Sequence, residues 1–266
     1  MYLRNRCLFD RPQPASPFGA VKKLTVFLVA ILLALPIGMT ADEFVFEEPS
    51  VSALVFEGYE APTVPKRDMV GDDYFEDAIF IGDSLAEGLA LNRLLPTMEF
   101  VTKIGQSANG VVRHRVYKLN GKSVRMIELL KAKQPGKLYI WLGSNGIDNY
   151  SAQHVLPQYE TMLDLFISEL PDTLIYCVSL APVIERRAQR QYPRMNNRKI
   201  HGFNALIEEA AKARNCFYLP ISFALMDEDG GLHKNYSAGD GIHLSKAGYQ
   251  VVNEFLRSHT IPYHKE

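Results

Sequence analysis

The sequence predicts a doubly wound α/β domain, in which a parallel sheet is covered by helices on both faces. From residue 78 onward, short and nearly continuous apolar runs alternate with longer helical segments. Such runs are typical of parallel strands buried on both faces, and the alternation of strand and helix builds a sheet of this kind. The 266 residues are 47% hydrophobic and 22% charged, which excludes a disordered or collagen-like chain.

Five apolar runs are the candidate strands, at 78–81, 99–104, 137–142, 173–180 and 216–219. Helical segments are predicted at about 85–95, 122–133, 153–170, 197–214 and 246–258. Ser245 and the pair Asn196-Asn197 stand just before helical periods, where a side-chain oxygen can accept from the first free backbone N–H groups. We therefore expect helix N-caps there.

The N-terminal part of the chain has a different pattern. Residues 24–41 carry no charge and directly follow Lys22 and Lys23, which is typical of a membrane-spanning helix. The basic flank should stay in the cytoplasm, so the rest of the chain is expected outside. We predict a cytoplasmic basic segment at 1–23, a transmembrane anchor at 24–41, an extracytoplasmic linker at 42–77 and a folded domain at 78–266. A cleaved signal segment, which would release a secreted protein, is the alternative.

The net charge, the cysteines and the histidines indicate which partners and cofactors the chain is not expected to bind. The formal net charge is −1, so the overall balance does not indicate a nucleic-acid partner. Cys7, Cys177 and Cys216 form no CxxC pair, and we expect Cys177 and Cys216 to be unpaired core residues. The histidines show no metal-ligand spacing, and Tyr139 and Trp141 are predicted to be core residues. No cofactor or metal is implied.

Polar blocks follow four of the candidate elements. They are Gly82-Asp83-Ser84-Leu85, the run from Gly105 to Gly110, Gly143-Ser144-Asn145, and Asp240-Gly241-Ile242-His243. Because ligands bind outside the carboxyl ends of the strands in open parallel sheets, these blocks are expected to meet at one site.

The residue types suit nucleophilic catalysis. A serine hydroxyl such as that of Ser84 is a weak nucleophile and needs a base within hydrogen-bond reach. His243 is suited to that role. Asp240 lies three residues before it, so its carboxylate can hold the imidazole in one tautomer. Together these residues indicate a Ser-His-Asp hydrolase.

The four blocks resemble those of the SGNH hydrolases, also called GDSL esterases, over about residues 76–258. The resemblance implies a flavodoxin-like three-layer α/β/α fold, with Ser84 as nucleophile, His243 as base and Asp240 as its orienting residue. It also implies an oxyanion hole made by the Ser84 N–H, the Asn145 side chain and a backbone N–H of the second block, either Ala108 or Gly105. The chain departs from the family pattern at Ala108, where glycine is usual, and at Gly146, where aspartate is usual.

Two further features have open interpretations. The stretch 185–201 carries Arg186, Arg187, Arg190, Arg194, Arg198 and Lys199 against Glu185 alone. It is either a solvated loop and helix start or a cationic rim for an anionic substrate. Asp83 is interpreted as a carboxylate that stabilises the turn before Ser84.

The sequence therefore predicts a membrane-anchored, extracytoplasmic serine esterase. Its expected substrate is an acylated cell-surface glycan or another small ester, and the acyl group is expected to be acetyl because of the predicted location. An acyltransferase that uses the same triad and an inactive carbohydrate-binding scaffold are the alternatives. The oligomeric state stays open.

Overall fold

The structure of the chain, a computed structural model, describes residues 64–262. The predicted basic segment, the predicted anchor and most of the predicted linker lie outside the described residues, as does Cys7. Within residues 64–262, no helix is both long and apolar enough to cross a membrane. The site described below lies entirely within this range.

Parallel strands form the central sheet. The strands of the described chain are β1 (Ala78–Gly82), β2 (Glu99–Thr102), β3 (Tyr117–Leu119), β4 (Lys122–Val124), β5 (Lys137–Trp141), β6 (Leu174–Val178) and β7 (Phe217–Leu219). Five of them pair in the order β2-β1-β5-β6-β7, and β3 pairs with β4 in a separate hairpin. All pairs in the central sheet are parallel. The predicted doubly wound α/β class is confirmed, and each predicted strand lies in this sheet.

Helices cover both faces of the sheet. They are α1 (Ser84–Asn92), α2 (Ala108–Arg113), α3 (Met126–Lys133), α4 (Ser144–Ile147), α5 (Ala152–Glu169), α6 (Glu185–Ala188), α7 (Asn197–Lys212), α8 (Ile221–Leu225) and α9 (Lys246–Ser258). Residues of α2, α3, α5 and α7 join the core on one face, and residues of α1, α8 and α9 join the core on the other. The N-caps predicted at Asn196 and Ser245 are confirmed, since each side chain accepts a backbone N–H of its helix.

Alternation along the strands divides their side chains between two cores. Phe80, Tyr139, Tyr176 and Phe217 share one face on successive strands. The Tyr139 and Tyr176 rings stack with centroids 4.5 Å apart, and those of Tyr176 and Phe217 lie 5.3 Å apart. Aromatic pairs in this range stabilise beyond their buried area. Tyr139 and Trp141 are fully enclosed, so their interpretation as core residues is confirmed.

The segment 122–133 differs from its prediction as one helix. Residues 122–124 form β4, and α3 starts only at Met126. Leu119 pairs with Lys122, which leaves Asn120 and Gly121 as a two-residue turn with φ of 49° and 78°. Positive φ at both positions is the geometry that Asn-Gly adopts in tight hairpins. The hairpin therefore replaces the first turn of the predicted helix.

The last part of the predicted linker contacts α9. The Arg67 N–H donates to the Ser258 carbonyl at 2.7 Å, and the Val70 N–H donates to the Arg257 carbonyl at 3.0 Å. Phe75 is completely buried in the core beside α1 and α9. Residues 64–77 thus form part of the folded unit.

The cysteine prediction is confirmed for the described cysteines. Cys177 and Cys216 are buried and free.

Candidate active site

Ser84 begins α1 immediately after the central strand β1. A methyl group on Gly82 would lie 2.4 Å from Ala86 Cβ and 2.8 Å from the Trp141 carbonyl oxygen. Only glycine therefore permits this close approach of the strand end to both neighbours. The next residue, Asp83, caps the helix by accepting from the Leu85 N–H at 3.0 Å. The turn presents the Ser84 hydroxyl at the carboxyl edge of the sheet.

His243 reaches Ser84 from the loop that precedes α9. Its Nε2 lies 3.0 Å from Ser84 Oγ, and its Nδ1 lies 2.6 Å from Asp240 Oδ2. The other oxygen, Asp240 Oδ1, accepts the backbone N–H groups of Ile242 and His243, both at 2.9 Å. The loop thus brings together the three residues that the sequence proposed as a triad.

The electrostatics of Asp240 fix the tautomer of His243. Partial burial opposes ionisation of Asp240, but the hydrogen bonds from the His243 side chain and from the two backbone N–H groups outweigh it and lower the pKa of the carboxyl. An ionised carboxylate can only accept, so Nδ1 of His243 carries the proton. In the neutral ring Nε2 is then an acceptor directed at the Ser84 hydroxyl. This is the arrangement that a general base requires.

Asn145 lies close to the nucleophile but already has two acceptors. Its Nδ2 donates to Asp83 Oδ2 at 2.9 Å and to the Gln106 carbonyl at 3.2 Å. An amide nitrogen has two hydrogens, so both are in use. The side chain is therefore held in a fixed direction by residues of two other blocks.

Asp83 does more than stabilise its turn. It is almost completely buried, and Oδ2 accepts from the Ser144 hydroxyl at 2.5 Å as well as from Asn145. Burial raises the pKa of Asp83, opposed by the hydrogen bond from Ser144 and the N–H of Leu85. Asp83 thus joins the first polar block to the third.

The two candidate donors of the second block differ in position. Ala108 is the first residue of α2, is buried, and follows Ser107, whose hydroxyl accepts from the Gly110 N–H at 3.2 Å. Gly105 is exposed, with φ of +73°, in the turn after β2. The N–H groups of a first helical turn have no intrahelical partner. Ala108 is therefore the better placed donor, and helical φ suits alanine.

Sequence reasoning missed two contributors to this site, Ser144 and the Gln106 carbonyl. Both lie inside the polar blocks, but neither residue type indicates that its partner is Asp83 or Asn145.

In residues 64–262 no group of three His, Cys, Asp or Glu side chains could hold a metal ion.

A separate cavity of about 1090 Å³ opens at the other edge of the sheet, lined in part by Tyr74, Asp77 and Lys137. Lys137 begins β5, whereas Asn145 follows the end of that strand. At about 3.3 Å per residue the strand separates the two places. The cavity is therefore not part of the site around Ser84.

The chain matches the model of a known protein family. The model of the GDSL-like lipase/acylhydrolase family matches residues 80–251, which include all four polar blocks. No curated protein sequence matches the chain.

Solved structures share the fold at low sequence identity. A Streptococcus pneumoniae protein provisionally named as a platelet activating factor is 24% identical with a TM-score of 0.54, covering 70% of this chain and 88% of its own. A GDSL-like lipase from Bacteroides thetaiotaomicron is 18% identical with a TM-score of 0.54, covering 68% and 86%. A provisionally named acylhydrolase from Bacteroides fragilis is 16% identical with a TM-score of 0.55, covering 73% and 88%. At these identities the likeness concerns the fold alone.

Proposed function

This chain belongs to the GDSL-like lipase/acylhydrolase family, and we propose that it removes a small acyl group, such as acetyl, from a hydroxyl group of a cell-surface glycan. Membership makes it a serine ester hydrolase that acts on carboxylic ester bonds. The observation that carries the proposal is the continuous hydrogen-bond chain from Asp240 through His243 to Ser84. We assign these three residues as the catalytic triad.

In the proposed reaction, Ser84 Oγ attacks the ester carbonyl carbon while His243 Nε2 takes the hydroxyl proton. The carbonyl oxygen becomes an oxyanion, and the C–O bond to the glycan then breaks as His243 returns the proton to the leaving hydroxyl. Water attacks the acyl-serine in the same way, with His243 again as base. The products are the free carboxylic acid, the glycan hydroxyl and regenerated Ser84.

The oxyanion is stabilised by backbone and side-chain donors. Within residues 64–262 the Ser84 N–H has no hydrogen-bond acceptor. The Ala108 N–H lies in the first turn of α2, where backbone N–H groups have no intrahelical partner. Asn145 donates to the oxyanion when the oxyanion takes the place of the Gln106 carbonyl as acceptor. That carbonyl is the more distant of the two acceptors of the Asn145 amide. Asp83 meanwhile keeps the amide in place. Loss of one such donor typically lowers kcat by about 10²–10³.

A glycan fits the surroundings of the site better than a lipid chain. The side chains of His243 and Asp240 are 40% and 38% exposed, so the site is open to a bulky polymer. Residues 185–201, which include Arg187 beside Gly241, are strongly cationic rather than apolar. A lipid ester needs an apolar surface that shelters its acyl chain from water.

The proposed location rests on the sequence. The uncharged run 24–41 directly follows Lys22 and Lys23. This pattern supports a single-pass anchor with the catalytic domain outside the membrane. A glycan of the cell surface would then be within reach.

The experiment is Ser84→Ala in the full-length protein. We expect hydrolysis of p-nitrophenyl acetate and release of acetate from an acetylated glycan to fall by at least about 10³, while the circular-dichroism spectrum stays unchanged. A fluorophosphonate probe should label the wild type and not the variant.

Equal activity of the wild type and the variant would remove Ser84 from the site. A folded wild type that hydrolyses no ester and reacts with no probe would overturn the proposed function.

A further inference from the structure

The segment between β6 and α7 carries an unusual concentration of positive charge. Its exposed arginines are Arg186, Arg187, Arg190, Arg194 and Arg198. We call these five residues the arginine rim. No carboxylate among residues 64–262 forms an ion pair with any of them. The single acid of the segment, Glu185, instead accepts the Asn197 N–H at 2.7 Å.

One end of the arginine rim packs against the loop that carries the base. The Ile184 N–H donates to the Gly241 carbonyl at 2.8 Å. A methyl group on Gly241, whose φ is +86°, would lie 2.7 Å from Arg187 Cβ. Gly241 directly follows Asp240 and lies two residues before His243. The root of the Arg187 side chain is therefore fixed beside the triad.

The other end reaches the helix that carries Asn145. Arg194 Nη1 donates to the Asn149 carbonyl at 3.3 Å, and Lys199 Nζ donates to the Ile147 carbonyl at 3.2 Å. α4 contains Asn145 and ends at Ile147. The arginine rim thus extends from the His243 loop to the segment just after α4, and the neighbouring Lys199 contacts the last residue of α4.

Unpaired arginines at this position have a chemical consequence. Exposed like charges repel one another, and no ion pair with a carboxylate of residues 64–262 offsets that repulsion. Guanidinium groups bind carboxylate and phosphate oxygens in a planar, two-pronged geometry. An anionic group next to the scissile ester would supply the missing partner. Its attraction would speed encounter and orient the substrate.

We propose that the substrate is an acylated anionic glycan, whose carboxylate or phosphodiester groups bind the arginine rim while the ester enters the Ser84 site. This inference rests on the proposed function and names its substrate class. Arg186 and Arg187 are assigned as residues that determine specificity, because they are nearest in sequence to the contact with Gly241.

The test measures binding to the full-length Ser84→Ala protein by titration calorimetry, so that turnover is not needed. The probes are an oligogalacturonate, a poly(glycerol phosphate) oligomer and a neutral xylo-oligosaccharide of similar length. We expect at least one anionic probe to bind about tenfold more tightly than the neutral probe at about 20 mM salt, and to lose much of that advantage at about 300 mM. Which anionic probe binds better identifies carboxylate or phosphodiester as the recognised group.

Arg186→Gln/Arg187→Gln should remove most of that preference, since it keeps Cβ and the packing on Gly241 but removes two charges. The matched control is Arg93→Gln/Lys212→Gln, because exposed Arg93 directly follows α1 and exposed Lys212 ends α7, both on the opposite edge of the sheet. The control variant should bind each probe with the same affinity as the Ser84→Ala protein. In the wild type, the preferred probe should also slow fluorophosphonate labelling of Ser84.

Equal affinity for anionic and neutral probes, or equal losses in the two double variants, would overturn the inference. Binding to vesicles rich in phosphatidylglycerol that depends on Arg186 and Arg187, without binding to either anionic oligomer, would overturn it in favour of a membrane contact. Hydrolysis of acetyl esters with no preference for anionic glycans would leave the proposed function standing and refute only the substrate class.

Discussion

Asp83 is a buried carboxylate directly before the nucleophile. Its oxygens accept from the Leu85 N–H, the Ser144 hydroxyl and the Asn145 amide. A buried carboxylate without partners would be strongly destabilising, and these donors compensate for its loss of water. Asp83 therefore acts as a positioning residue, which links the helix of Ser84 to the side chain of Asn145.

Asp83→Asn tests this positioning role. The amide has one acceptor oxygen where the carboxylate has two, so either the Leu85 N–H or the donors Ser144 and Asn145 must face an NH₂ group. The side chain at residue 83 should then shift, and the fixed direction of the Asn145 side chain should be weakened. Hydrogen bonds to charged groups contribute about 1.5–3 kcal/mol, so we expect kcat to fall about 10- to 100-fold. KM should change little, and steady-state kinetics on an acetyl ester measures both.

Asp172→Asn is the matched control, since Asp172 is exposed before β6 at the opposite edge of the sheet. It should behave like the wild type. If Asp83→Asn raised KM and left kcat intact, Asp83 would have no part in positioning Asn145.

Asp240→Asn tests whether Asp240 holds His243 in the productive tautomer. The amide can present its NH₂ to His243 Nδ1 and stabilise the wrong tautomer, with the proton on Nε2. We expect kcat to fall by about 10⁴, the loss seen when a triad aspartate is amidated in another hydrolase. A loss of only a few-fold, together with an inactive His243→Ala, would reduce the triad to a Ser84–His243 dyad.

The pH dependence of stability provides an independent check on Asp240. Its pKa is lowered in the folded protein, so its stabilising contribution is present above the unfolded value of about 3.9 and disappears as the pH falls through the lower folded value. The difference between thermal melts of the wild type and of Asp240→Asn should therefore be largest above about pH 5 and shrink as the pH falls below the unfolded value. A constant difference across that range would contradict the lowered pKa.

At the scale of elements, α4 is a single helical turn whose start decides where Asn145 lies. It is preceded by Gly143, whose φ of +135° lies in the region that favours glycine. A methyl group on Gly143 would also lie 2.7 Å from Phe203 Cε1. The end of β5 can therefore turn into α4 only with glycine at this position.

We expect Gly143→Ala to lower the free energy of unfolding by about 1–3 kcal/mol through overpacking and backbone strain. It should also reduce kcat, because α4 must shift. Gly202→Ala is the matched control, since Gly202 lies in α7 and a methyl group there would meet no atom of another element within 4 Å. Alanine should stabilise that helix slightly, by about 0.5–1 kcal/mol. Denaturant unfolding of both variants measures the contrast, and equal stabilities would show that α4 tolerates a side chain at Gly143.

At the scale of the whole molecule, the strand order collects the polar blocks at one edge of the sheet. β1 lies between β2 and β5, so the second and third blocks flank Ser84. The loop before α9 brings His243 across to it, over a sequence separation of 159 residues. Each block alone is an ordinary turn, and the catalytic arrangement exists only in the assembled sheet.

The membrane topology proposed for the chain can be tested on intact cells. If 24–41 is a membrane anchor with a cytoplasmic basic flank, protease added to intact cells should cleave the catalytic domain from the membrane, as followed by immunoblotting. A cytoplasmic marker protein should stay intact in the same sample. Full protection of the domain until the cells are lysed would refute the proposed orientation.

Local patterns in the sequence determined much of this protein. The five strands, the caps at Asn196 and Ser245, and the positions of the polar blocks were all predictable, because apolar periodicity and capping depend on neighbouring residues. Even the Asn120-Gly121 hairpin had a local signal, which the helical interpretation of 122–133 overlooked. The membrane anchor, the catalytic roles and the substrate stay predictions.

Only the tertiary structure decided which polar groups meet. Asn145 contacts Asp83 across 62 residues and the Gln106 carbonyl across 39. The Ile184 N–H, just before the arginine rim, donates to the Gly241 carbonyl beside the triad. A carboxylate or an amide carries no sequence signal that specifies its distant partner. The path of the chain brings these groups within about 3 Å of one another, the separation at which a hydrogen bond forms.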